Sequence, residues 1–122
     1  MSRVARETLN QEAAGDKEVC VVMADEPRMC DLNRRFAGRD DVTDVLAFHQ
    51  DEQVLGDVVV CVPAAGRQAK AYGHTVTREL MILVAHGVLH LLGWDDRTAA
   101  QRRKMLKRGE EIVRRVEART RS

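Results

Sequence analysis

Two histidines spaced one helical turn apart are the residues of this chain best suited to chemistry. His86 and His90 lie in the apolar stretch ELMILVAHGVLHLLGWDD, which runs from Glu79 to Asp96. In an α-helix, side chains four residues apart share one face, and two imidazoles so placed can bind one metal ion at about 2.0–2.1 Å. Gly93 follows where a helix commonly ends in a left-handed turn, so Asp96 can reach the same ion. Two nitrogens and one oxygen leave one tetrahedral position open, as in catalytic zinc sites.

Two other interpretations of the histidine pair have to be weighed. A histidine on an apolar helix face is usually a hydrogen-bonded core residue. Metallopeptidases with the pattern H-E-x-x-H carry a glutamate base directly after the first histidine. Gly87 occupies that position here, so this peptidase class lacks its base in this chain.

Length and charge limit the class of protein. With 122 residues, the chain is expected to form a single domain over residues 1–122 that is large enough to bury a core. Hydrophobic residues make up 44% of the chain, a globular value. The net charge is +1, from 20 basic and 19 acidic residues, which does not indicate a strongly basic nucleic-acid binder. Contacts with nucleic acid would therefore depend on local patches.

The cysteines and the apolar runs indicate the cellular compartment of the protein. Cys20, Cys30 and Cys61 are widely spaced and form no C-x-x-C pattern, which fits a reducing cytosol. We expect Cys20 and Cys61, which lie in strand-like apolar runs, to be small core residues. No apolar run approaches the roughly 20 residues of a membrane span, and the N-terminal residues lack the h-region of a signal peptide. We expect a soluble cytoplasmic protein with no membrane partner.

The elements that must position the histidines alternate between helix and strand. The strands are predicted at 18–24, 44–49 and 54–62, the last two as a hairpin. The helices are predicted at about 27–36, 63–72, from 75 or 77 to 93, and 99–119, after a weak helical pattern in the first 17 residues. This order predicts an α+β fold in which helices pack on one side of a small sheet. The histidine helix is apolar nearly all round, so it should be the central and most buried one.

Three sequence blocks resemble one family, the YbeY-type rRNA maturation factors. The first is HGVLHLLGWDD, preceded by REL at 78–80. The second runs from LN at 32–33 through GRD at 38–40 to TDVLAF at 43–48, and resembles the family's LN…GKD…TDVLSF block. The third, LGDV at 55–58, resembles its LGDI strand. The blocks occur in the family's order and span roughly residues 18–115.

This resemblance implies both an activity and a fold. The family is a bacterial, metal-dependent, single-strand-specific endoribonuclease that acts in 16S rRNA 3′-end maturation and ribosome quality control. Its partners are ribosomal RNA and the small ribosomal subunit, and its metal helix is set against a small mixed sheet. The resemblance implies one zinc ion per chain, with the ligands carried over onto His86, His90 and Asp96. It implies nothing about oligomeric state.

The chain departs from the family pattern at two positions. Family members usually have a third histidine where this chain has Asp96; a carboxylate also binds zinc, although the harder ligand could admit manganese. The family's arginine position holds Ala37, so the flanking Arg35 and Arg39 are the candidates for holding a phosphate during catalysis. The change at Ala37 supports an alternative hypothesis, a non-catalytic, metal-containing binding factor of the ribosome. A metal hydrolase of another substrate is a third, weaker alternative.

Overall fold

The computed structural model describes residues 1–37, 44–51 and 54–121. In chain order the elements are α1 (Ser2–Gln11), β1 (Glu18–Ala24), α2 (Glu26–Ala37), β2 (Val45–His49), β3 (Val54–Cys61), α3 (Val62–Tyr72), α4 (Val76–Leu91) and α5 (Ala99–Arg121). Arg39, one of the two arginines predicted to act in catalysis, belongs to residues 38–43, which lie outside the described residues. None of the described helices is long and apolar enough to cross a lipid bilayer.

The sheet has three strands in the order β1-β3-β2. β2 and β3 run antiparallel, with Phe48 opposite Asp57, so the predicted hairpin is confirmed. β1 runs parallel to β3, with Val22 opposite Val59. The sheet is therefore mixed, and the α+β fold class is confirmed.

Helices pack against both faces of β3, whose side chains alternate between the two faces of the sheet. On β3, Val58 and Val60 belong to the main core with residues of α1, α4 and α5. Val59 and Cys61 belong to a second, smaller cluster with Met29 of α2. The expectation that helices cover only one side is therefore wrong, since α2 packs against the other face.

The two strand cysteines behave differently. Cys61 is fully buried, as predicted, but Cys20 is exposed, so its predicted place in the core is wrong. On β1 the alternate residues Val19 and Val21 pack against the main core. Cys20 consequently faces the opposite side, on an edge strand with no strand beyond it in the described sheet.

Helix α4 is the central helix, as the sequence predicts. Its buried residues include Val84, Val88 and Leu89, each with essentially no exposed surface. The helix lies close to β3: a Cβ built on Gly87 would come within 2.5 Å of Val58 Cγ1. Packing therefore explains the glycine between the two histidines, and the glutamate of the peptidase pattern would have no room there.

Local chemistry fixes where the helices begin and end. Thr75 caps α4, its Oγ1 accepting a hydrogen bond from the Arg78 N–H at 3.1 Å. Asp25 caps α2 by accepting from Arg28 N–H at 2.9 Å. Gly73 ends α3 in the left-handed region, at φ 73°. Threonine, aspartate and glycine suit these positions, because they satisfy the backbone groups that helix ends leave unpaired or allow the turn that follows.

Candidate functional site

The C-terminal end of α4 brings two of the three predicted site residues together. The helix ends at Leu91, two residues before the glycine predicted to end it. Gly93 then adopts φ 101°, and the Trp94 N–H donates to Leu89 O at 3.0 Å. The chain turns back at this point, so that Asp96 Oδ1 lies 3.4 Å from His90 Nε2.

His86, one turn earlier, has a ring nitrogen that lacks a partner. Its Nε2 is buried and makes no hydrogen bond within the described residues, which calls for an explanation because nearly all buried polar atoms are paired. Gly109 of α5 leaves the space for this ring: a Cβ there would lie 3.1 Å from Nε2 and 3.0 Å from Cδ2. The glycine therefore keeps a gap beside an unsatisfied nitrogen.

Burial lowers the pKa of His86 below its usual 6.5, because the charged imidazolium is poorly solvated there. The carboxylates of Asp44, Glu79 and Asp96 oppose this effect. The effect of burial is the larger one, so the pKa stays lowered and the imidazole of His86 is mainly neutral at pH 7. The neutral form is the one that binds metal ions.

The donor chemistry of the three residues fits a metal ion of the zinc type, because neutral imidazoles and a carboxylate are accepted ligands. The unpaired His86 nitrogen and the gap beside Gly109 agree with this fit. Over residues 1–37, 44–51 and 54–121, however, no three His, Cys, Asp or Glu side chains stand close enough to hold an ion as arranged. A three-ligand site is therefore not preformed, although two of its members are in contact.

The neighbouring Asp95 does not compete for this position. It is paired with Arg97, whose Nε donates to both carboxylate oxygens at 2.9 and 3.1 Å. The hydrogen bond from Arg97 lowers the pKa of Asp95. Of the two adjacent aspartates, Asp96 is thus the one aimed at the histidines.

A cavity of about 840 Å³ opens beside His86 and Asp96, within the size range of small-ligand pockets. One wall is the face of α4 that carries Glu79, Ile82 and His86, and the facing wall is α5. The cationic residues along it are Arg102, Lys107 and Arg114, and the acidic ones are Asp44, Glu79, Asp96, Glu110 and Glu111.

Trp94 ties the loop after α4 to the rest of the molecule. It packs against the main core, and its indole N–H donates to Glu12 Oε1 at 2.7 Å. Glu12 also pairs with Arg108 of α5 at 2.8 Å, and this pairing raises the pKa of Arg108. The loop that carries Asp96 is thereby anchored to the segment after α1 and to α5.

Of the two arginines predicted to act in catalysis, Arg35 belongs to the part of the chain that the structure describes, and it is not among the residues that line this cavity. Arg35 is exposed on α2, where it lies 3.8 Å from Asp31 in an ion pair within the helix. α2 packs on the other face of the sheet from α4. Arg39 lies outside the described residues. The catalytic role of both stays a prediction.

Two acidic residues of the cavity, Asp44 and Glu79, were not singled out as functional from the sequence. Asp44, predicted to form a turn, directs its carboxylate to Gln68, which donates at 2.9 Å. Glu79 is only 4% exposed, and its Oε1 lies 2.5 Å from Nε2 of His74. The available signal was Glu79 itself, a charged residue seven positions before His86 and so on the same face of a buried helix.

Comparisons with known proteins agree with the earlier resemblance. The family model described as Endoribonuclease YbeY matches residues 1–117. A protein named Endoribonuclease YbeY from Pelotomaculum thermopropionicum is 40% identical over 127 aligned positions, covering 95% of this chain and 84% of that protein. The protein of the same name from Staphylococcus aureus strain JH9 is 37% identical, covering 80% of this chain and 72% of its own length.

A solved structure shares the fold as well. The solution structure of a Thermotoga maritima protein superposes with a TM-score of 0.72 at 31% identity, covering 98% of this chain and 81% of that one. Together with the family model and the sequence relatives, this structural match shows that the chain belongs to the Endoribonuclease YbeY family.

Proposed function

We propose that this protein is a metal-dependent endoribonuclease that cleaves single-stranded RNA, with His86, His90 and Asp96 as the ligands of one zinc ion. The observation that supports this proposal most is the end of α4. There Asp96 contacts His90, and His86 presents a buried nitrogen without a partner next to a gap kept by Gly109. Relatives at 37–41% identity carry the name endoribonuclease, which supports the reaction class.

The physiological role follows the family. The substrate is the 3′ end of the 16S rRNA precursor, the partner is the small ribosomal subunit in the cytoplasm, and the activity contributes to ribosome quality control. The chain's small net charge means that RNA contact relies on local cations. Arg102, Lys107 and Arg114 of α5 line the cavity and can meet phosphates there.

The residues of the cavity divide the chemical work. When bound, the metal supplies polarisation of a phosphoryl oxygen and activation of water. His86 remains neutral because of its burial, so its nitrogen lone pair is available near pH 7. Asp96 balances positive charge at the site, and the half-enclosed cavity limits the water around the reacting phosphate. The α5 cations attract the RNA backbone and orient it.

Cleavage of a single-stranded RNA that carries the 16S 3′ end tests the proposal. His86→Ala should lower the cleavage rate about a hundredfold or more, since loss of a ligand removes the ion that the reaction requires. His49→Ala is the matched control: His49 is an exposed histidine at the end of β2, and its loss should leave the rate unchanged. Cleavage that persists in His86→Ala, or in the wild type after chelation, would contradict the metal-dependent mechanism.

A second function is favoured by specific features of this chain. Ala37 stands where the resembled family has an arginine, and Arg35 lies on a helix that packs against the other face of the sheet. These features suit a metal-containing ribosome-binding factor without nuclease activity. That function predicts sedimentation with the small subunit and no cleavage above background, whereas the proposed nuclease must cleave.

A further inference from the structure

The end of the cavity away from Asp96 is formed by the turn between α3 and α4. Tyr72 stands at its mouth with 72% of its surface exposed. The ring of His74 lies beside it, with the ring centroids 6.1 Å apart and the ring planes at 46°. An exposed aromatic ring and a histidine thus share the rim of the cavity that two of the candidate metal ligands, His86 and Asp96, also line.

His74 is held in place by a buried charge. Its Nε2 lies 2.5 Å from Oε1 of Glu79, a carboxylate that is only 4% exposed. Removing a carboxylate from water costs free energy unless the group is paired. A fold with apolar side chains in place of such a buried pair is often at least as stable. The turn does not require this pair to form, because Gly73 ends α3 and Thr75 caps α4. What the pair does achieve is to fix the imidazole at the rim, with Nδ1 outside the contact.

The distance between the two ends of the cavity limits what His74 can do. Glu79 and His86 are seven residues apart on α4, a rise of about 10 Å along the helix axis. This is too far for His74 to exchange a proton with a phosphate bound at His86. It suits contact with a neighbouring nucleotide of a strand that lies along the cavity.

We propose that Tyr72 and His74 form a binding subsite for one unpaired nucleobase next to the reaction centre. The base stacks on the ring of Tyr72, and His74 forms a hydrogen bond to the base edge through Nδ1, with Glu79 as a positioning residue. Arg102 and Lys107 on the facing wall contact the backbone of the same strand. This inference rests on the proposed RNA-cleaving function and adds a feature that favours single strands, because a paired base must first break its pair and leave its stack before it can enter the subsite.

The two residues should have separable effects on RNA binding. Stacking tolerates any base, so Tyr72 should contribute to the affinity for every sequence. A hydrogen bond to the base edge distinguishes bases, so His74 should determine a preference at one nucleotide position.

Fluorescence anisotropy with labelled single-stranded RNA 12-mers, in EDTA to prevent cleavage, tests the subsite. Tyr72→Ala should weaken binding about 5- to 150-fold, the range expected for one stacked base, while Tyr72→Phe should bind within about threefold of the wild type. In a series of 12-mers with an abasic nucleotide at successive positions, wild-type binding should weaken when the missing base is the one that stacks on Tyr72. At that same position the missing base should make no difference to binding by Tyr72→Ala, which has already lost the stacking partner. His74→Ala and Glu79→Gln should reduce the base preference at that position, with smaller losses of overall affinity. Circular dichroism of each variant shows whether it is folded.

The outcomes separate this inference from the proposed function. A folded Tyr72→Ala that binds and cleaves RNA like the wild type overturns the subsite and leaves the nuclease function standing. A wild type without base preference at the abasic-sensitive position overturns the role of His74. A wild type that neither binds nor cleaves single-stranded RNA overturns the proposed function and the subsite with it.

Discussion

Replacing Gly109 by alanine should separate the stability of the fold from the function of the histidine site. A glycine within a helix is about 1 kcal/mol less favourable than alanine, and Gly109 lies inside α5. A Cβ at this position would come within 3.0–3.1 Å of the His86 ring, whereas ordinary contacts begin at 3.4 Å. The ring must therefore move by a few tenths of an ångström.

Gly109→Ala has two effects, a gain in helix propensity and a close contact with the His86 ring. They have opposite signs for the stability of the fold, whereas only the contact affects function. The gain in helix propensity should be largely cancelled by the new contact, so the free energy of unfolding should change by less than about 1 kcal/mol. A displaced imidazole weakens the metal site and the reaction; since a misplacement of 1 Å can cost about a hundredfold, a shift of a few tenths should cost about three- to tenfold. Metal affinity and kcat/KM should fall together.

Gly66→Ala provides the matched control. Gly66 lies inside α3, and a Cβ there would meet no atom within 4 Å. This variant should gain about 0.5–1 kcal/mol in stability and keep full activity. Urea unfolding in chelator gives the stabilities, while metal titration and cleavage assays give the function. If Gly109→Ala gained as much stability as Gly66→Ala and kept its metal affinity, the role assigned to the gap beside His86 would be refuted.

Three further predictions concern the core and the loop after α4. Burial lowers the pKa of His86 in the folded protein, so the unfolded chain binds a proton at this residue more readily than the folded one. The contribution of neutral His86 to the free energy of unfolding is therefore fully present above pH 6.5, and it is lost as the pH falls through the lower pKa of the folded state. In chelator, wild-type stability should thus fall more steeply between pH 7 and pH 5 than that of His86→Gln, and parallel curves would contradict this. Gly87→Ala should destabilise the fold by about 1–3 kcal/mol, because the added Cβ would contact Val58. In a double-mutant cycle, Gly87→Ala should cost less stability in a Val58→Ala background than in the wild type. Trp94→Phe removes the hydrogen bond to Glu12 and should cost about 0.5–1.5 kcal/mol; an unchanged urea midpoint would show that the bond contributes nothing.

Features set by neighbouring residues in the chain were predictable from the sequence. The bounds of β1 were predicted at 18–24, as observed, since a β-branched run ends there at a helix-capping aspartate. Thr75 and Gly73 mark helix boundaries because their chemistry suits those positions whatever the rest of the fold does. The pairing of His90 with Asp96 follows from the same kind of local geometry.

Features set by distant contacts were not predictable in this way. The exposure of Cys20 depends on which face of β1 meets the core, and a short apolar strand does not specify that face. The gap beside His86 depends on Gly109, which lies 23 positions further along the chain and on another helix. The Trp94–Glu12 contact joins residues 82 positions apart. Such pairings emerge only when α1, α4 and α5 pack together.

Metal content measured by elemental analysis tests the central claim most directly. Protein purified without chelator or affinity tag should contain about one zinc ion per chain, and His86→Ala and Asp96→Ala should each lose it, while His49→Ala should retain it. Folded wild-type protein without metal, or a His86→Ala variant that retains a full equivalent, would contradict the claim that the end of α4 and the loop after it hold the metal.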